Sequence, residues 1–349
     1  MKQVLIFSDA HISLHKGSLD RMQDCLNALE WVFTTAKQKN IDTVIFVGDL
    51  FQDRQKIQVI AYQKTFEILE KHKDINLYLL IGNHDMWNSE SREISSIFPL
   101  RALPKVKIID QPCCLNIKGV NVDFLPYTKN PKECVENNFK EKSDVLFGHL
   151  AIDGAYLNTF YNTVSEVSVE YEGDMVKVDV GVFNGWKKVL LGHYHGAQKV
   201  NEIVEYIGSP LQLNFNEVFQ KKHIIAMDLD NLFCEYIENT FSPRHLIVKE
   251  SEIGNYKLKG NFVRIESDNL SSSKIIDIKN SLSGVVSTLE FKEIKSNKHN
   301  ELKTDLDKAK KILSEGEIVE KYISLVETSL EKEKLMLIGR QIIQKGTSS

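Results

Sequence analysis

Cysteine is scarce and unpaired in this chain. Its five cysteines, Cys25, Cys113, Cys114, Cys134 and Cys234, are odd in number, and none falls in a CxxC spacing. That argues against a disulfide framework and against a cysteine zinc site, and it fits a reducing cytoplasm. Long apolar runs are missing too, since none approaches the ~18–20 residues of a membrane span. The N-terminal stretch 1–7 turns polar at Ser8 and Asp9; it is too short for a secretory leader. A GxxxxGK[ST] run is absent, so no P-loop ATPase is expected in this chain. Repeats and low-complexity tracts are absent as well. An excess of one charge is lacking overall, the net being -4, which excludes a generally basic nucleic-acid coat.

What is present is an ordinary globular composition, 42% hydrophobic and 26% charged, over 349 residues. That length suffices for one large core or for two to three domains. The charge is unevenly spread. Residues 1–241 hold 25 Lys and Arg against 32 Asp and Glu, whereas residues 242–349 hold 19 against 16. Bound divalent cations would change the sign locally in the first part.

Residues 1–241 read as alternating strands and helices, the pattern of an α/β domain. Short apolar strands are expected at 4–7, 44–47, 77–81, 120–125, 144–147, 188–191, 205–207 and 223–227. Met22, Cys25, Leu26, Leu29, Val32, Phe33 and Ala36 recur at helical spacing, as do Ile57, Ile60, Ala61, Phe66 and Leu69. A boundary is expected near Phe241-Ser242-Pro243. Beyond it, a strand at 262–266, a helix at 274–282 and a strand at 285–294 suggest a small α/β module, with Ser271-Ser272-Ser273 as turn and helix cap. From residue 301 onward the pattern is helical, with Gly316 between two apolar stripes.

The chemistry lies just after the strands. They run in turn into Ser8-Asp9-Ala10-His11, Gly48-Asp49, Gly82-Asn83-His84-Asp85, Gly148-His149 and Gly192-His193-Tyr194-His195. Sites in α/β sheets gather at the carboxyl ends of strands, so these loops are expected to share one rim. Asp9 and His11 are two residues apart, as are His193 and His195; in an extended segment each pair would point the same way. The glycines allow tight turns and keep side chains out of the site. Carboxylates, an amide and imidazoles without thiolate suit Mn²⁺, Fe or Zn²⁺ in five- or six-coordinate geometry. Seven candidate ligands, Asp9, His11, Asp49, Asn83, His149, His193 and His195, are too many for one ion and about right for two. The motifs hold five of the ten histidines; His15, His72, His223, His245 and His299 read as surface or packing residues.

In this order the motifs resemble those of the calcineurin-like metallophosphoesterase superfamily, over roughly residues 1–200. Within it the chain is similar to SbcD-type DNA-repair nuclease subunits, through Gly48-Asp49-Leu50-Phe51, Leu125-Pro126-Tyr127, Gly148-His149-Leu150, Tyr206-Ile207-Gly208-Ser209-Pro210-Leu211 and Asn214-Phe215-Asn216-Glu217. The resemblance implies a four-layer αββα sandwich over 1–241, a small α/β DNA-capping module over 242–299 and a C-terminal helical segment over 300–349. It implies two divalent ions, Mn²⁺ foremost, with Mg²⁺, Fe²⁺ or Zn²⁺ as alternatives. Asp9, His11, Asp49 and His195 would hold one. Asp49, Asn83, His149 and His193 would hold the other. His84 would contact the scissile phosphate and assist the leaving group, and Asp85 would orient His84. Some relatives carry a second histidine three residues after the bridging aspartate; here that residue is Gln52.

The activity so implied is Mn²⁺-dependent cleavage of DNA, as a 3'-5' double-strand exonuclease and single-strand endonuclease. The implied partners are DNA, an SbcC-type ATPase docked on the stripe from Ile318 to Ile342, and a second copy of the chain. The copies would meet through the helix around 57–69 and the segment 94–100, which periodicity alone assigns to the core. Two other readings compete. A small-substrate phosphoesterase would not need residues 242–349, and a non-catalytic DNA-end scaffold would not need every ligand together with His84.

Overall fold

The computed structural model describes residues 2–88, 91–153, 155–158, 163–164, 178–294 and 334. The elements run β1 (Gln3–Phe7), α1 (Leu19–Gln38), β2 (Thr43–Phe46), α2 (Val59–Lys71), β3 (Asn76–Leu80), β4 (Val106–Ile109), β5 (Cys113–Ile117), β6 (Val120–Leu125), α3 (Pro131–Asn138) and β7 (Val145–His149). They continue with β8 (Tyr156–Asn158), β9 (Thr163–Val164), β10 (Lys188–Gly192), β11 (Gln198–Lys199), β12 (Val204–Tyr206), β13 (His223–Asp228), β14 (Cys234–Glu238), β15 (His245–Lys249), β16 (Phe262–Ser267), α4 (Ser272–Leu282) and β17 (Thr288–Glu293).

Two six-stranded sheets dominate, ordered β14-β13-β1-β2-β3-β4 and β11-β12-β10-β7-β6-β5. Strands β1 to β4 are parallel to one another, as are β6, β7, β10 and β12. Antiparallel strands close three of the four edges, and the parallel β4 forms the fourth.

The period of two along each strand sorts its side chains into layers. Val4 and Ile6 of β1, with Ile45 of β2 and the following Val47, pack against Val122, Phe124, Val145, Phe147 and Leu190 of the second sheet. Leu5, Phe7, Val44 and Phe46 point the other way, onto Met22, Cys25, Leu26, Leu29, Val32, Phe33 and Ala36 of α1. Across the second sheet, Leu146, Val189 and Leu191 meet Val135 of α3 with Phe139, Phe183 and Trp186. The order helix, sheet, sheet, helix is thus the expected four-layer arrangement. Strands buried on both faces read as unbroken apolar runs, which is why they were legible.

The described residues divide into two compact units: Met1–Ile247 with Lys257–Val263 and Val285–Thr288, and Val248–Tyr256 with Arg264–Gly284 and the residues from Leu289. A separate three-stranded sheet has the order β15-β16-β17. Helix α4 starts at the Ser271 cap, whose hydroxyl accepts the Lys274 N–H. The segment 300–349 expected to be helical, including the stripe from Ile318 to Ile342, lies outside the described residues except for Lys334. No helix among the described residues is long and apolar enough to cross a membrane.

Candidate metal centre

The parallel register brings the loops together. Phe7 lies beside Phe46 and Phe46 beside Leu79, so β1, β2 and β3 end at one level. In the second sheet Gly192 pairs with His149. The rims then interlock: Asp9 N–H donates to the Gly48 carbonyl at 2.9 Å and His11 N–H to that of Asp49 at 3.1 Å. His193 N–H donates to the Asp9 carboxylate at 3.1 Å, and His84 N–H to Asp49 Oδ1 at 2.7 Å.

Gly192 is one of the points where the two sheets approach most closely. A Cβ there would run into Ser8 Oγ, the Val47 carbonyl and His149 Nδ1. Gly192→Ala is therefore expected to lower the unfolding free energy by the ~1–3 kcal/mol typical of overpacking or more, read as a lower urea midpoint. A variant as stable as wild type would show that this contact yields freely.

The two ligand pairs converge, but not as extended segments. Asp9, His11, Asp49 and His193 have φ of 53°, 44°, 65° and 103°. The chain turns through the left-handed region, which costs non-glycine residues energy and clusters at functional sites. Alternation along a strand was the wrong reason for a correct convergence.

Three overlapping groups of ligand atoms result, each within 4.8 Å: Asp9, His11 and His195; His11, Asp49 and His84; and Asp49, His149 and His193. Asn83 joins the last, its Oδ1 3.0 Å from His149 Nε2 and 3.0 Å from His193 Nδ1. All seven sequence-expected ligands and His84 therefore lie at one centre.

Their protons test whether cations fit. His149 Nδ1 donates to the Val47 carbonyl at 2.7 Å, leaving Nε2 to face Asn83 Oδ1 and, at 3.3 Å, Asp49 Oδ2. His195 Nδ1 donates to Glu217 at 3.0 Å, so its Nε2 lone pair faces His11 Nε2 at 3.0 Å. His11 Nδ1 is buried without a hydrogen-bond partner. Acceptors that face one another at this range repel unless a proton or a cation lies between them. The donor set, oxygen and neutral imidazole, is one that divalent ions take.

The charges pull the imidazoles apart. Burial, with the neighbouring His195, lowers His11 to about 4. Burial, with His149, lowers His193 to about 3. Burial also opposes the His149 imidazolium, but the carboxylates of Asp49 and Asp9 outweigh it and push His149 up to about 9. His149, with His84 and His11, holds Asp49 well below the usual carboxylate range, against its burial.

In chelator these shifts give a stability profile with two limbs. Below pH 6.5 the unfolded chain takes up protons that folded His11 and His193 refuse, so stability falls as pH drops toward about 4 for His11 and about 3 for His193. The His149 proton stabilises below 6.5 and is lost as pH rises through about 9. The melting temperature in chelator should peak near pH 6.5, and a scan without either limb would contradict these assignments.

The calcineurin-like phosphoesterase signature matches residues 2–206, which contain this whole centre. The chain belongs to that family. It is 25% identical over 271 residues to exonuclease subunit 1 of Enterobacteria phage T4, covering 76% of this chain and 74% of the relative. It is 23% identical over 289 residues to the SbcD component of the nuclease SbcCD of Staphylococcus saprophyticus, covering 73% and 72%. The DNA double-strand break repair protein Mre11 of Thermoplasma acidophilum matches at 23% over 294 residues, covering 78% and 72%. The protein is thus a hydrolase, a phosphoesterase or nuclease of that family, with an Asp and His site able to bind divalent metal.

Three residues of this phosphoesterase centre differ from the sequence reading. Asp85 does not touch His84. Its carboxylate accepts the N–H groups of Gly82, Asp49 and Leu50, each at 2.9 Å, and so pins the loop that carries Asp49. Burial and the Asp49 charge push Asp85 up to about 7 against those three bonds. His84 is held instead by the Gln52 carbonyl, 2.6 Å from Nδ1. His15 is more than a packing residue, because its Nε2 donates to the His11 carbonyl at 2.8 Å.

Glu217 and Lys222 were missed as functional groups. The Asn214–Glu217 run was noted for family likeness, but nothing in its spacing says that Glu217 is buried against His195.

Proposed function

We propose that this protein is a two-metal DNA nuclease, the catalytic subunit of an SbcCD-like complex. As the motif resemblance implies, the activity is 3'-5' on duplex ends with endonuclease action on single strands. The observation that carries the reading is the pair of ligand groups, Asp9, His11 and His195 beside Asp49, His149 and His193. The names of the relatives, an exonuclease subunit, a nuclease subunit and a break-repair protein, support DNA as substrate.

Bound divalent ions, Mn²⁺ in this reading, would lower the pKa of water toward ~7 and offset phosphate charge. The residues do the rest. Asp9, His11, Asp49 and His195 hold one ion, and Asp49, Asn83, His149 and His193 the other. Asp85 fixes the backbone that presents Asp49. The Gln52 carbonyl can only accept, so His84 keeps its Nδ1 proton there, and as the imidazolium, with a second proton on Nε2, it can donate that proton to the leaving oxygen. Gln52 thus takes part through its main chain, which a histidine at that position would not alter.

A second copy and an SbcC-type ATPase are the proposed protein partners. Val59 is 81% exposed, Ile94 62% and Trp87 48%, apolar residues at and near the two proposed dimer segments. Ile97 and Leu100 of the second segment are buried instead.

The test uses end-labelled linear duplex DNA, a closed single-stranded circle and a chromogenic phosphodiester, each with Mn²⁺, Mg²⁺ or chelator. Mn²⁺-dependent cleavage of DNA is expected. Cleavage of the small ester alone, with DNA untouched even when an SbcC-type partner is added, would replace this reading by a small-substrate phosphoesterase. No cleavage of any substrate by metal-loaded protein would replace it by a scaffold.

A further inference from the structure

Glu217 is buried and has both oxygens engaged. Oε1 lies 3.0 Å from His195 Nδ1. Oε2 lies 2.7 Å from Lys222 Nζ and accepts the Leu213 N–H at 3.1 Å. Lys222 is buried too, and its ammonium also donates to the His195 carbonyl at 2.8 Å and to Ser209 Oγ at 2.9 Å. Both ends of His195 are therefore gripped, the ring by Glu217 and the main chain by Lys222.

The support is one-sided. His149 rests on a neutral backbone carbonyl, that of Val47. An anionic partner behind an imidazole fixes its tautomer and raises its basicity as a ligand, and losing one typically costs 10–100-fold in metal affinity.

We infer that Glu217 is a positioning residue that turns His195 Nε2 toward Asp9 and His11, so that one of the two proposed metal positions depends on it and the other does not. The inference rests on the two-metal reading of the centre. It has a sharp chemical consequence. In Glu217→Gln the shape is kept, but Lys222 Nζ and Leu213 N–H can only donate and so claim the amide oxygen. The amide NH₂ then faces Nδ1, and the ring must carry its proton on Nε2, where the lone pair is needed.

The experiment is Mn²⁺ titration of chelator-stripped protein, by calorimetry and by electron paramagnetic resonance, on wild type and three variants. Wild type should bind two equivalents and show the spectrum of a coupled pair. Glu217→Gln and Glu217→Ala should each weaken one equivalent about 10–100-fold and leave the other, giving a mononuclear spectrum. Arg21→Met is the control, because Arg21 Nη2 holds the Gln212 carbonyl of the same segment at 2.9 Å without touching His195; it should titrate like wild type. Should Glu217→Ala fail to fold, the isosteric Gln variant decides alone. Wild-type titration by Glu217→Gln, equal weakening of both equivalents, or an Arg21→Met that matches it would each overturn the role of Glu217. A wild type that binds no Mn²⁺ would instead overturn the metal centre itself.

Discussion

Replacing His84 by serine should cut phosphodiester cleavage by roughly two to four orders of magnitude, the range for loss of a positioned proton donor, while metal and DNA binding persist. The geometry separates these effects. What His84 gives the centre structurally is its backbone N–H, 2.7 Å from Asp49 Oδ1, and serine keeps it. What serine loses is the ring, whose Nδ1 is tied to the Gln52 carbonyl and whose Nε2 is left for substrate. One alternative is open to the same measurement, since His84 also lies within ligand reach of His11 and Asp49. If His84→Ser drops a metal equivalent in parallel with its activity, His84 is a ligand rather than a proton donor. If it cleaves at the wild-type rate, it is neither.

Much of the centre was legible because its residues sit where the chain changes character. A buried strand such as Val4–Phe7 is apolar throughout, so Asp9 and His11 stand out directly after it. Glycine marked the same points, and Gly192 proved to be a close contact between the sheets. The positive φ at Asp9 and His11 left no trace, because neither residue is a glycine. Glu217 was hidden for another reason. Its partner His195 is 22 residues away in the chain, and its burial depends on Lys222, which reads as a surface lysine. Edge strands such as Cys234–Glu238 escaped as well, being at most half-buried and mixing polar with apolar residues on both faces. The misassigned Asp85 shows the limit of adjacency: it follows His84 in sequence, but its carboxylate turns back to the Asp49 loop.

Asp49→Asn should be the most damaging single change, because Asp49 belongs to two of the three ligand groups. Asparagine tolerates a left-handed backbone, so the φ of 65° at this position should survive and the loop should still fold. The Asn oxygen is held by the His84 N–H, which leaves the amide NH₂ where Oδ2 now faces His149 Nε2 at 3.3 Å and His11 Nε2 at 3.6 Å. Two donors then point into the space that a cation would occupy, and one of the two carboxylates is gone. Mn²⁺ binding should fall to one equivalent or none, and cleavage on the order of a thousandfold or more, the several kcal/mol that metal ions supply. Thermal stability gives an independent reading. Wild type should gain about 2.7 kcal/mol per Mn²⁺ site at Mn²⁺ a hundredfold above the dissociation constant, and Asp49→Asn at most one such increment. The variant also acts on the pH profile in chelator. Asp49 is the foremost charge holding His149 near a pKa of about 9 against burial. Without it the His149 pKa falls, the folded state loses its extra proton between pH 6.5 and 9, and the alkaline limb of the melting curve should flatten. An Asp49→Asn protein that binds two Mn²⁺ ions and keeps the alkaline limb would mean that Asp49 neither bridges the metals nor charges His149.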